Sequence, residues 1–174
     1  MVNGAGNGGP SGPAQEDWQA AAADGSAKRV VGGGTVGSAT LPAALLQQII
    51  DAAREDAPNE TVGLLVGPAY AADRGTPTRY RRMTNAAASP YRYLLDSDEQ
   101  LRVMLEIDDA DEVVWGIVHS HVASPAVPSV TDVGLAYYPD SLYLVCSLAE
   151  PQPVVRAWII RDGEVDEVAL AVGV

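Results

Sequence analysis

The chain reads as a mixed α/β (α+β) domain in which a β-sheet is flanked by helices. Three observations predict this. Apolar, β-branched runs of strand length recur at residues 60–66, 113–118, 142–146, 154–160 and 165–172. Two windows, 41–53 and 98–109, carry apolar residues at helical spacing instead. Asp162-Gly163 separates the last two apolar runs, which is a hairpin signal.

In chain order, residues 1–36 form a first segment of different material. It contains Gly-Gly-Pro-Ser-Gly-Pro at 8–13, an alanine run around Trp18 and the triple glycine Gly32 to Gly34. Sequence so poor in core-forming residues predicts a flexible tail, with the folded domain running from 37 to 174. Leu41 to Ala53 then reads as a helix with Pro42 in its first turn. Glu60 to Val66 reads as a strand, Asp73 to Pro77 as a loop and Thr78 to Met83 as another strand. Asp98 to Asp109 is expected to be the second helix, with Leu101, Met104, Leu105 and Asp108 as its mostly apolar stripe. Val113 to Val118 is a short β-branched run typical of a strand buried on both faces. Two prolines within Val122 to Ser129 predict an ordered loop. Ser129 looks like the cap of a helix continuing to Tyr137.

Composition narrows the function classes. A length of 174 residues suits one domain, and 47% hydrophobic residues supply a sizeable core. A net charge of −12 argues against nucleic acid or an anionic membrane surface as partner, because phosphates need a basic patch. A partner with a basic face fits better. No run of ~18 apolar residues suggests a membrane span, and Met1 to Gly6 lacks the basic and apolar regions of a signal peptide. The single cysteine, Cys146, sits in an apolar strand where packing is its expected role, and a cytoplasmic location follows.

The chemistry concentrates in Val118-His119-Ser120-His121, which holds both histidines of the chain, and in Pro128-Ser129-Val130-Thr131-Asp132. Side chains at i and i+2 of a strand leave the same face, so His119 and His121 can point together from its C-terminal end. A helix opening at Ser129 can return Asp132 beneath them. Two imidazoles and one carboxylate leave a fourth tetrahedral position open, the pattern of a catalytic rather than a structural zinc. Water on such an ion has its pKa lowered from ~15.7 to about 7, and a nearby carboxylate is still needed to carry the proton to the leaving amine. Glu60 is the candidate, an acid at the mouth of the apolar run Thr61-Val62-Gly63-Leu64-Leu65-Val66-Gly67, where it costs free energy unless paired or used.

With Glu60, His119, Ser120, His121, Pro128, Ser129 and Asp132 in this arrangement, the chain resembles the JAMM (MPN+) zinc metalloproteases from about Thr40 to its end. The resemblance implies a JAMM/MPN-type mixed sheet of the cytidine-deaminase-like kind. It also implies Zn2+ held by His119, His121 and Asp132, Glu60 as general acid/base, and Ser129 as hydrogen-bond donor to the tetrahedral oxyanion, with Ser120 orienting the site from behind. Many members carry proline directly after the second histidine; Val122 stands there in this chain, which bears on substrate fit more than on metal binding.

The short Tyr138-Pro139-Asp140-Ser141 link leaves little room for an insertion that grips a second ubiquitin. The region of Asn85, Ser89-Pro90 and Tyr91-Arg92-Tyr93 is similar to small bacterial members that hydrolyse sulfur-carrier proteins joined to cysteine. The activity so implied is cleavage after a carrier's C-terminal Gly-Gly, releasing cysteine in a biosynthetic route. Two other readings stand beside it: an isopeptidase that removes a ubiquitin-like modifier from protein lysines, and an inactive zinc-bearing scaffold. Arg92 and the basic run Arg79, Arg81 and Arg82 are candidates for contact with a carboxylate or an acidic partner, or are solvent-facing charges. Lys28 to Gly33 ends in Gly-Gly, as carrier proteins do, but is too short to be one; it is a linker or a substrate-mimicking tail.

Overall fold

The computed structural model describes residues 37–173. The expected flexible tail over 1–36, with its Gly32-Gly33 sequence, lies outside the described residues. Seven strands form one sheet: β1 (Ser38–Pro42), β2 (Val62–Gly67), β3 (Arg79–Met83), β4 (Val113–His121), β5 (Leu142–Ser147), β6 (Val154–Arg161) and β7 (Glu164–Gly173). Their order across the sheet is β1-β7-β6-β5-β4-β2-β3. β1 runs parallel to β7 and β4 parallel to β5, and the remaining neighbours are antiparallel. Among the described residues three α-helices accompany them: α1 (Ala43–Asp56), α2 (Ser97–Asp109) and the short α3 (Val130–Gly134). This is the mixed α+β architecture expected of the sequence.

Alternation along the strands sorts the core into two layers. Leu65, Val118, Leu142, Leu144, Cys146, Ala157 and Ile159 face α1, which lays Leu45, Ile49 and Ala53 against them. Val62, Leu64, Val66, Ile117, Tyr143, Val145, Trp158 and Ile160 face the other way and meet Val103 and Ile107 of α2. Gly63 is small for a reason, because a Cβ there would lie 2.5 Å from the ring of Tyr80 on β3.

β4 needs a correction of phase to serve both layers. Its register against β2 shifts between Leu65, opposite Gly116, and Val66, opposite Val114, which leaves Trp115 as the extra residue of a bulge. Trp115 therefore joins the α1 layer with Val118, while Val114 and Ile117 join the α2 layer. His119 and His121 continue the α2 side.

Several boundaries differ from the sequence expectation, each for a physical reason. Leu41 and Pro42 belong to β1 and not to a helix; they pair with Val172 and Gly173, and α1 starts at Ala43. β2 opens at Val62, two residues after Glu60. α2 begins at Ser97 because Asp96 caps it, its side chain accepting from the Glu99 amide at 2.9 Å. The buried face of α2 is Val103 and Ile107, whereas Leu101 and Leu105 stand 61% and 55% exposed. α3 stops at Gly134 instead of running to Tyr137. The final hairpin turns on two residues, Asp162 and Gly163, both at positive φ, with Arg161 paired to Glu164. Among the described residues no helix is long and apolar enough to cross a membrane.

Candidate metal centre and its surroundings

His119 and His121 end β4 on the same face, as period two requires, and both are buried. Their Nε2 atoms lie 3.2 Å apart. α3 returns Asp132 to them: its Oδ2 is 3.3 Å from His119 Nε2 and 3.5 Å from His121 Nε2. These three residues form a group whose ligand atoms lie within 4.8 Å of one another and could hold a metal ion.

The carboxylate is aimed by a capping box. The Ser129 amide donates to Asp132 Oδ2 at 2.6 Å, and Ser129 Oγ accepts from the Asp132 amide at 3.2 Å. Ser129 is thus the N-cap of α3, and among the described residues its hydroxyl accepts a bond without donating one. His121 Nδ1 lies 2.8 Å from the Pro125 carbonyl. A carbonyl only accepts, so this bond puts the proton on Nδ1 and leaves the Nε2 lone pair toward the cluster. His119 differs: its Nδ1 is buried without a hydrogen-bond partner among the described residues. The Tyr93 ring instead stacks on its imidazole, centroids 4.8 Å apart and planes 30° from parallel.

The electrostatics favour positive charge between these groups. Burial alone would raise the Asp132 pKa, but His119, His121 and the Ser129 amide outweigh it and hold the carboxyl far below the usual carboxylate range. Burial would likewise lower His121, yet hydrogen bonds to Asp132 and the Pro125 carbonyl, with the nearby charges of Asp132 and Glu60, raise it. An ionised carboxylate facing two imidazole nitrogens in a buried setting is suited to a cation.

Glu60 lies just before β2, 4% exposed. Its amide donates to the Ser89 carbonyl at 2.9 Å, and its own carbonyl accepts from Asn85 Nδ2 at 2.8 Å. Burial raises its pKa; the charges of His119 and His121 pull the other way and that of Asp132 adds to the rise. The carboxyl therefore sits in the field of the cluster and takes up a proton more easily than an ordinary glutamate does. A cleft of about 470 Å3 adjoins Glu60, walled by Asn59, Arg82, Met83, Asn85 and Glu99, and does not extend to the three clustered ligands.

Ser120 faces away from the histidines. Its Oγ accepts from the Thr61 amide at 2.8 Å, and its amide donates to the Thr61 carbonyl at 3.1 Å, so it ties β4 to the residue after Glu60. Arg82 pairs with Glu55 at 2.6 Å and with Asp56, and Arg79 pairs with Glu112, so two of the three β3 arginines are engaged within the chain. Such exposed pairs contribute about 0–1 kcal/mol each. The stack of Tyr93 and the carbonyl of Pro125 were not singled out from sequence. A backbone acceptor leaves no trace in residue type, and Tyr93 lies 26 positions from the histidine it covers.

The chain is 45% identical to a protein of Mycobacterium tuberculosis named CysO-cysteine peptidase, over 77% of this chain and 90% of that one. It is 36% identical to a desampylase of Haloferax volcanii, over 62% of this chain and 79% of the relative. A protein of Desulfitobacterium hafniense with a known solution structure shares the fold with a TM-score of 0.69 at 35% identity, covering 77% of this chain and 92% of its own. Residues 42–161 match the family described as prokaryotic homologs of the JAB domain, and the chain belongs to that family.

Proposed function

We propose that this protein is a zinc-dependent peptidase that hydrolyses the bond after the C-terminal Gly-Gly of a ubiquitin-like sulfur-carrier protein and releases cysteine. The observation that carries this reading is the convergence of His119, His121 and Asp132 beside the buried Glu60, in a chain 45% identical to a CysO-cysteine peptidase.

The donor set fits zinc. Bonds of ~2.0–2.1 Å to a tetrahedral ion place its ligand atoms ~3.3–3.4 Å apart, and the three separations here are 3.2, 3.3 and 3.5 Å. In this reading the two Nε2 atoms and Asp132 Oδ2 hold the ion, which supplies Lewis acidity to the scissile carbonyl and to the attacking water. Glu60 takes the water's proton and delivers it to the departing cysteine nitrogen, a role suited to a carboxyl whose affinity for protons burial has raised. The Ser129 hydroxyl, whose oxygen already accepts from the Asp132 amide, donates its proton to the oxyanion. The capping box keeps Ser129 and Asp132 in one fixed relation, so donor and ligand are set together. The reading places the enzyme in the cytoplasm, in keeping with a lone buried Cys146 that has no partner for a disulfide.

The test is incubation of the zinc-loaded protein with a sulfur-carrier protein extended by one cysteine after its Gly-Gly, read by intact mass. Loss of one cysteine with the wild type, and none with Glu60→Gln, is the expected result; no loss by a stoichiometrically zinc-bound wild type refutes it. The similarity to a desampylase favours a second reading, removal of a ubiquitin-like modifier from protein lysines. A lysine-linked conjugate offered beside the cysteine adduct separates the two by which is consumed.

A further inference from the structure

We infer that Asn85 is a positioning residue that couples Glu60 to His119 through the connection between β3 and α2. The inference rests on reading Glu60 as the base and His119 as a metal ligand.

The two histidines are held by unlike means. His121 is oriented by the Pro125 carbonyl, the arrangement usual for a metal-ligating imidazole, whose second nitrogen donates to a fixed acceptor. Among the described residues His119 Nδ1 has no such acceptor, and the stacked ring of Tyr93 holds its imidazole instead. How firmly His119 is aimed therefore depends on what holds Tyr93.

Tyr93 lies in an irregular connection with little regular backbone pairing of its own. Asn85 replaces that pairing with one side chain. Its Oδ1 accepts from the amides of Ala87 and Leu94, both at 3.0 Å, which closes the connection on either side of Tyr93. Its Nδ2 donates to the Arg92 carbonyl at 3.3 Å and to the Glu60 carbonyl at 2.8 Å. Two backbone bonds brace the same segment: Ala86 amide to Leu94 carbonyl at 2.7 Å, and Glu60 amide to Ser89 carbonyl at 2.9 Å. Ala88 sits at φ 42°, in a region alanine avoids, inside the turn that Asn85 closes. An asparagine amide has two donor hydrogens and an acceptor oxygen with two lone pairs, and here all four are engaged. Aspartate lacks the donors, and glutamine would displace both ends by a methylene. One amide group thus fixes the backbone of Glu60 and the seat of the ring on His119, so base and ligand keep a common frame.

The test is a double-mutant cycle on the zinc affinity of the full chain, measured by chelator competition, with Asn85→Ala, Tyr93→Leu and the pair. Each single substitution is expected to weaken zinc binding about tenfold, the lower end of what outer-shell changes cost. The pair is expected to be no weaker than the worse single, because the two act along one path. Tyr93→Phe, which keeps the stack, should bind zinc as the wild type does. Asn85→Asp keeps the acceptor for Leu94 and Ala87 and removes the donor to Glu60, together with the longer 3.3 Å bond to the Arg92 carbonyl. It should retain zinc affinity while kcat on the cysteine-extended carrier falls about tenfold at unchanged KM. Losses that multiply to about a hundredfold in the pair, wild-type zinc affinity in Asn85→Ala, or wild-type kcat in Asn85→Asp would each overturn the inference. If Asn85→Ala does not fold, Tyr93→Leu and Asn85→Asp carry the same decision. A wild type inert on the carrier refutes the peptidase reading alone, since the zinc cycle needs no substrate.

Discussion

The two faces of the sheet are covered by different means. On one, the 14-residue helix α1 lays Leu45, Ile49 and Ala53 over an apolar layer that includes Trp115, Val118 and Leu144. On the other, α2 contributes Val103 and Ile107, and much of the remaining cover is irregular: Tyr93 and Leu95 from one connection, Ala126 and Val127 from another, and the five-residue α3. A helix satisfies its own backbone and presents a stripe of methyl groups. Irregular segments must satisfy theirs with side chains, carbonyls and caps, so buried polar atoms become unavoidable there. Asn85, Ser129 and the Pro125 carbonyl all serve that need, and each also bonds to a group of the candidate metal cluster or to Glu60. The candidate site sits on the face whose cover required polar groups in any case.

Substitutions on the two faces should therefore separate activity from stability. The largest effect is expected from Glu60→Gln, which should lower kcat about a thousandfold, ~4 kcal/mol of barrier, with thermal midpoint and zinc stoichiometry unchanged. Steady-state kinetics beside calorimetry checks both halves. On the opposite face, Ile49→Ala should destabilise the fold by about 3 kcal/mol, seen as a lower denaturant midpoint, while turnover per folded molecule stays within about twofold. If instead its kcat collapses, the two faces are not independent. Ser129→Ala acts on both properties: about a hundredfold in kcat from the lost donor, and ~1 kcal/mol of stability from the lost cap. Ser129→Thr, which keeps both functions of the hydroxyl, should restore them together. The smallest effect concerns Cys146 in the α1 layer, whose thiol burial pushes up to about 11. It stays protonated at pH 8, so a thiol reagent should not label the native protein between pH 7 and 9 and should label it at once on unfolding.

This difference in cover also explains how much was legible from sequence. The strands of the two-sided core were, because Val113 to Val118 or Leu142 to Cys146 can satisfy their burial in few other ways. The grouping of His119, His121 and Asp132 was, because His-x-His at a strand end and Ser-x-x-Asp at a helix start have local geometries that bring their donors together. What escaped was non-local or carried by the backbone. β1 was taken into the following helix because its pairing with Val172 and Gly173 lies at the far end of the chain, while Leu41-Pro42 adjoins a strongly helical run. The exposure of Leu101 and Leu105 was missed because both fit the helical period, and only the docking angle of α2 selects Val103 and Ile107. The support of Glu60 by Ser89 and of His121 by Pro125 runs through carbonyls, which every residue has.

The bulge at Trp115 divides β4 into two frames of alternation. A single-residue insertion or deletion between Val113 and Trp115 can be taken up there, as a wider or vanished bulge, without changing the face on which the histidines emerge. The same change between Ile117 and His119 has no such buffer and would turn both imidazoles into the aliphatic layer beneath α1. The strand therefore tolerates length variation on one side of a single tryptophan and forbids it on the other.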